Sequence, residues 1–226
     1  MSGLLFDIGA NRGDAVVAGL NKGFDKIIAV EAAPIVFREL VLNFLYNPKV
    51  VPIRFAVSEN NWDVVEFYEC VEDGLSTIEK AWLTDPNLPY AGKKYRTIEV
   101  TTCTIDWLAE QYGLPDLVKI DVEGAESQVF AGMTCKPKQL AFEWSIQTID
   151  QHVKQLERLR DVNGYTEYAL QYITHHLDEP DEYLPLTKAD KLPNWIDATK
   201  KWWTDGGWRE QGALRPTADV GMLWLR

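Results

Sequence analysis

The chain has 226 residues, 46% hydrophobic and 25% charged, which suits one large globular α/β domain. Its net charge of -11 argues against nucleic acid or an anionic membrane as the main partner, since both need a basic footprint. No apolar run approaches the roughly 18 residues that span a bilayer. The first strand pattern starts almost at Met1, so no signal or transit peptide is expected and the reading is cytoplasmic.

Leu4-Leu5-Phe6 is an apolar run that ends in Asp7-Ile8-Gly9. A turn, Gly9-Ala10-Asn11-Arg12-Gly13, and a helical pattern follow. Strand, glycine turn and helix open a nucleotide-binding βαβ unit. The spacing is not G-x-G-x-x-G. A pyrophosphate loop wants helix N–H groups and no nearby carboxylate, yet Asp7 stands at the strand end. A carboxylate there repels phosphate and suits a ligand with an ammonium or sulfonium group. S-adenosylmethionine carries both. Asn11 is expected to close the turn and to meet the cofactor carboxylate, together with N–H groups at the helix start. Asp14 is expected to cap the helix, with Val16, Val17 and Leu20 facing the sheet, and Gly23 to end it.

Asp25 to Glu31 is a second buried strand ending in an acid, about 20 residues after the turn, where such folds hydrogen-bond a ribose diol. The two oxygens of Glu31 match two hydroxyls; the plain alternative is a solvated strand-end acid. Pro34 opens a helix whose apolar face is Phe37, Leu40, Val41 and Phe44. Lys49 to Val57 is a third strand, and Pro52 marks an edge position or a bulge, of which an edge fits the third strand of a doubly wound order. Its end, Ala56-Val57-Ser58, is expected to flank the adenine, on position alone.

Asp63 to Cys70 and Arg96 to Thr102 read as an antiparallel extension around an irregular loop, Glu72 to Tyr95. Thr104 caps a short helix that Gly113 closes. Leu117 to Asp121 is the fourth strand, Gly124 to Gly132 a turn and helix, and Gln139 to Trp144 the fifth strand. Thr148 to Arg160 is an amphipathic helix, and Gly164 to Ile173 a sixth strand. From Thr174 to Pro216 the pattern breaks down, acidic at first and then rich in Trp195, Trp202, Trp203 and Trp208. Those tryptophans read as core or as an aromatic wall for an acceptor. Val220 to Leu225 is a last strand, so 1–226 is read as one domain with an insertion at about 174–216.

Three motifs recur in order: Phe6 to Gly13 (FDIGANRG), Val30 to Pro34 (VEAAP) and Lys119 to Glu126 (KIDVEGAE). Together they resemble the FkbM-type S-adenosylmethionine-dependent methyltransferases over residues 4–145. Glu31-Ala32-Ala33-Pro34 departs from the family's more frequent Glu-Pro, which leaves Glu31 in place. The resemblance implies a doubly wound, Rossmann-like α/β sheet, mostly parallel, with an antiparallel strand near the C-terminus. It implies methyl transfer from S-adenosylmethionine to a hydroxyl oxygen of a small molecule or glycan. The expected cofactor-binding residues are Asp7, Gly9, Ala10, Asn11, Gly13, Glu31, Ala32, Ala56, Val57, Ser58, Asp121 and Glu123.

Asp121 lies beside the switch point and is the first candidate base or sulfonium neighbour; a helix-capping acid or a partner for Lys119 is the alternative. Glu143 is a second candidate base and His152 a third. Glu126 is expected to serve its own helix as a first-turn acid. His175-His176 with Asp178 and Glu179 has metal-type residues, but adjacent histidines point apart in a strand, so no metal is assigned. Cys70, Cys103 and Cys135 form no C-x-x-C pair and are read as reduced structural thiols. An NAD-dependent oxidoreductase on a related fold and a non-catalytic binding module are the competing readings. Asp7 and the missing third glycine oppose the first, and the full set of site acids and glycines opposes the second.

Overall fold

The computed structural model describes residues 3–72, 74–88, 90–145, 148–172, 177, 179–186 and 220–226. The chain opens with β1 (Leu4–Ile8), α1 (Asp14–Asn21), β2 (Lys26–Val30), α2 (Pro34–Phe44) and β3 (Val50–Ile53). It continues through β4 (Ala56–Val57), β5 (Val64–Cys70), α3 (Lys80–Thr84), β6 (Tyr95–Cys103) and α4 (Ile105–Tyr112). Then come β7 (Leu117–Ile120), α5 (Glu126–Ala131), β8 (Gln139–Ser145), α6 (Ile149–Asp161), β9 (Glu167–Tyr172), β10 (Leu184–Pro185) and β11 (Val220–Leu225).

The main sheet has the order β10-β9-β11-β8-β7-β1-β2-β3. Its stretch from β3 to β8 is parallel, and β11 enters antiparallel between β8 and β9. This is the doubly wound, Rossmann-like architecture, with its order reversing between β1 and β7. Alternation along β1 explains the two layers. Phe6 and Ile8 pack in a cluster with residues of α4, α5 and α6, including Leu108, Val129 and Leu156. Leu5 faces the other way and packs with Val16 of α1 and Leu40 of α2. Leu40 is fully buried, a contribution of roughly 2 kcal/mol to folding.

Several expectations are corrected. The cap of α1 is Gly13, in a left-handed conformation; Asp14 is the first helical residue and makes no cap bond. Ala15, Val16 and Gly19 face the sheet, while Val17 is 48% exposed. The 49–57 strand is two strands. β3 is the sheet edge, where the missing N–H of Pro52 costs no ladder bond. The chain then leaves the sheet at Arg54-Phe55, and β4 pairs with Thr102 and Cys103 of β6. The 72–95 loop contains α3, with Trp82 and Leu83 buried. Thr104 does cap α4, accepting from Trp107 N–H at 3.0 Å. Of the 174–216 stretch, β10 is described; Trp195, Trp202, Trp203, Trp208, His175 and His176 lie outside the described residues. The three cysteines are free thiols. Among the described residues no helix is long and apolar enough to cross a membrane.

Candidate functional site

A cleft of about 440 Å³ opens at the carboxyl ends of the strands, where the order reverses. Ligands bind α/β sheets at such switch points. Gly9, Ala10 and Asn11 follow β1 and form one wall. The turn is tied to the neighbouring strand, because the N–H groups of Gly9 and Ala10 both donate to Val30 O, at 3.0 and 2.9 Å. Gly9 is required: its φ is +76°, and a Cβ there would stand 1.8 Å from Asp121 O.

Glu31, Ala32 and Ala33 follow β2 and form the next wall. Glu31 Oε2 accepts from Asn11 N–H at 2.9 Å, and Oε1 accepts from Ala33 N–H at 2.8 Å. The acid therefore organises two turns as well as facing the cleft. Burial raises its pKa above the usual carboxylate range, and the two N–H donors work against that rise. Each oxygen keeps acceptor capacity for a further donor. Asn11 Oδ1 is buried and makes no hydrogen bond among the described residues. Phe55, Ala56, Val57 and Phe67 give an apolar flank, and Ser76, Thr77 and Ile78 lean in from the β5–β6 connection.

Asp121, Val122 and Glu123 follow β7 on the far side. Register brings in a third acid. Ile120 pairs with Phe142, so Asp121 and Glu143 stand side by side at the next step. One oxygen each of Asp121, Glu123 and Glu143 lies within 4.8 Å of the others. Burial first, then the charge of Asp121, pushes the Glu123 and Glu143 carboxyls well above the usual range. Lys119 supplies the opposing charge. Its Nζ lies 3.2 Å from Asp121 Oδ2 and 3.4 Å from Asp7 Oδ1, and it donates to Gly9 O at 3.4 Å. Burial lowers the Lys119 pKa, but Asp121 and Asp7 outweigh it and the net shift is upward.

The cleft thus gathers nine of the twelve expected cofactor residues; Asp7, Gly13 and Ser58 do not line it, and neither do the candidate bases Glu143 and His152. Asp7 is fully buried beneath the cleft floor, paired with Lys119, and does not line the opening. Gly13 turns the chain into α1 below the rim. Ser58 is buried outside the lining, its hydroxyl 3.3 Å from Gln128 Oε1. Glu126 is a structural acid, accepting from Val122 N–H at 3.3 Å. Among the candidate bases, His152 is set apart. Its Nε2 meets Thr148 Oγ1 at 3.1 Å and its Nδ1 meets Gln155 Oε1 at 2.7 Å. It lines a second cavity of about 300 Å³, and burial lowers its pKa to about 4. Lys119 entered the sequence reading only as an alternative partner for Asp121; the structure shows that pair and adds Asp7 to it.

A family model described as the Methyltransferase FkbM domain matches residues 7–176. No curated protein matches the chain. Among solved structures, the chain is similar to precorrin-6y C5,15-methyltransferase from Geobacter metallireducens GS-15. Identity there is 11%, over 100% of this chain and 80% of that one, with a TM-score of 0.45. It is also similar to tRNA (m1A58) methyltransferase from Aquifex aeolicus. That match has 13% identity over 99% of this chain and 62% of that one, at a TM-score of 0.40.

Proposed function

The chain belongs to the FkbM methyltransferase family, and from that premise we propose that it methylates a hydroxyl oxygen of a small molecule or glycan. S-adenosylmethionine is the methyl donor of this methyltransferase family, and it brings a methyl already activated by positive sulfur. The residues present fit that group. Asn11 Oδ1 is a buried acceptor awaiting a donor such as an ammonium group. Glu31 offers two oxygens to a ribose diol, and Phe55, Ala56, Val57 and Phe67 offer apolar contact to a base. Val57 and Ala56 sit in β4, held against β6, so that flank is rigid.

The single observation that carries hydroxyl chemistry is the convergence of Asp121, Glu123 and Glu143 within 4.8 Å. Removing a hydroxyl proton late in a displacement asks only for a base of modest strength. Burial and like charge raise the Glu123 and Glu143 carboxyls, which makes each a stronger base than a carboxylate in water. We assign Asp121 as first proton acceptor, because it lines the cleft and Lys119 fixes its orientation. Glu143 and Glu123 then share the proton within the trio. His152 is left a structural role by its two bonded nitrogens. The remaining work of the site is to hold donor and acceptor in line and exclude water.

The test is a panel of paired acceptors, hydroxylated compounds and sugars beside their amino counterparts, read as S-adenosylhomocysteine released. The reading expects turnover with hydroxyl members. Turnover confined to amines would overturn it.

A further inference from the structure

We propose that Trp82 is a positioning residue: its indole N–H holds the Glu123 carboxylate in place against Asp121 and Glu143. The inference rests on the reading of that trio as the proton-accepting end of the site. Trp82 belongs to α3, inside the β5–β6 connection, and is 3% exposed. Its Nε1 donates to Glu123 Oε2 at 3.0 Å. The bond spans 41 positions of sequence, joining the connection to the end of β7.

Three further features fix this contact. Gly124 lies beneath the ring: its φ is +88°, and a Cβ there would meet Trp82 at 2.7 Å. Glu123 itself has a φ of 56°, a left-handed backbone that a non-glycine residue adopts at a cost. Tyr90 packs edge-on against the indole, with centroids 5.6 Å apart. Trp82 does not line the main cleft, and its hydrogen bond to Glu123 is its polar link to the trio. An indole is a donor only, and its bond favours the ionised acid. The charged and titratable groups facing Glu123 are Asp121, Glu126 and Lys119, with Glu143 beside it and Tyr90 above. The acids among them repel its carboxylate, and Lys119 attracts it from the floor. Trp82 is the neutral donor that steadies it from the connection.

The test uses the full chain with S-adenosylmethionine and S-adenosylhomocysteine as probes, which differ in the sulfonium methyl and its positive charge. The ratio of their affinities, measured by calorimetry from about pH 5 to 9, reads how negative the trio is. In wild type the preference for the cation should rise as the trio ionises. Trp82→Phe keeps the ring over Gly124 and removes the donor; it should move the Glu123 step to a pH about one unit higher. Glu123→Gln should abolish that step, and adding Trp82→Phe to it should change nothing further. An unmoved step in folded Trp82→Phe would overturn the proposal. If Trp82→Phe does not fold, the assigned indole ¹⁵N–H resonance of Trp82 decides. A resonance that titrates in wild type and is flat in Glu123→Gln supports the proposal, and one flat in both overturns it. Failure of wild type to bind either probe would count against the cofactor reading, and the indole resonance would still judge Trp82.

Discussion

After β1 and β2 the backbone groups of the cleft wall satisfy one another, and Asn11 Oδ1 stands as a buried acceptor bonded to none of the described residues. Glu31 takes the N–H groups of Asn11 and Ala33, and Val30 O takes those of Gly9 and Ala10. After β7 and β8 the wall is crowded with like charge. Three carboxylates converge within 4.8 Å, with one buried ammonium below and one indole donor to the side. The first end is a rigid receptor, stable before any ligand arrives. The second stores electrostatic tension that a proton or a cation relieves, which is what a proton-accepting site needs.

Lys119→Met should cut deepest into this contrast. It leaves Asp7 fully buried without its ion partner, a change of about 3–5 kcal/mol in stability. The Asp7 carboxyl is already raised by burial, and the variant raises it further. A raised acid contributes stability that is present below its ordinary value and lost as pH rises through the folded value. Thermal unfolding should therefore show the variant's deficit growing as pH rises above the ordinary carboxylate range. A deficit independent of pH would mean that Lys119 is a packing residue.

His152 gives the next largest effect and sharpens the contrast by standing outside it. Its pKa is depressed to about 4 from 6.5, so its stabilisation is complete above 6.5 and lost as pH falls through the folded value. The loss amounts to about 3 kcal/mol by linkage. His152→Gln should flatten that acid-side slope and leave S-adenosylhomocysteine affinity unchanged. A large loss of affinity would return His152 to the site.

Asp121→Asn should lower turnover by roughly a hundredfold with little change in S-adenosylhomocysteine affinity, the pattern of a group used mainly in the transition state. Release of S-adenosylhomocysteine with whichever hydroxyl compound the wild type accepts is the readout. Unchanged turnover would move the base role to Glu143.

The same contrast marks what the sequence reveals. The receptor end is local: strand, turn and helix follow within a few residues, so Gly9, Asn11 and Glu31 are legible from spacing. The individual strands and the β5–β6 extension are likewise visible in apolar patterning, while the mostly parallel sheet follows from the family resemblance. The acid end is assembled by register and long-range packing. Asp121 and Glu143 are each readable as strand-end acids, but their adjacency comes from the β7–β8 register. Trp82 is hidden because α3 has only five residues, too short for a periodic signal, amid glycines and prolines. Asp7 reads as a ligand contact in the sequence; the pairing of β1 with β7 sets it beneath the cleft, 3.4 Å from Lys119 Nζ. The Asp14 cap fails because the left-handed Gly13 already occupies that position.

The central claim is that S-adenosylmethionine is held at the receptor end by Glu31. Glu31 also accepts from two backbone N–H groups, so Glu31→Ala should lower stability by about 2–4 kcal/mol at neutral pH. Its weakened turns should leave S-adenosylhomocysteine binding about tenfold to a hundredfold weaker, while Glu31→Gln falls between. Calorimetric titration of the three proteins with S-adenosylhomocysteine, at a temperature where circular dichroism finds all three folded, is the direct measurement. The account predicts affinities in the order wild type, Glu31→Gln, Glu31→Ala; equal affinities in three folded proteins would contradict it.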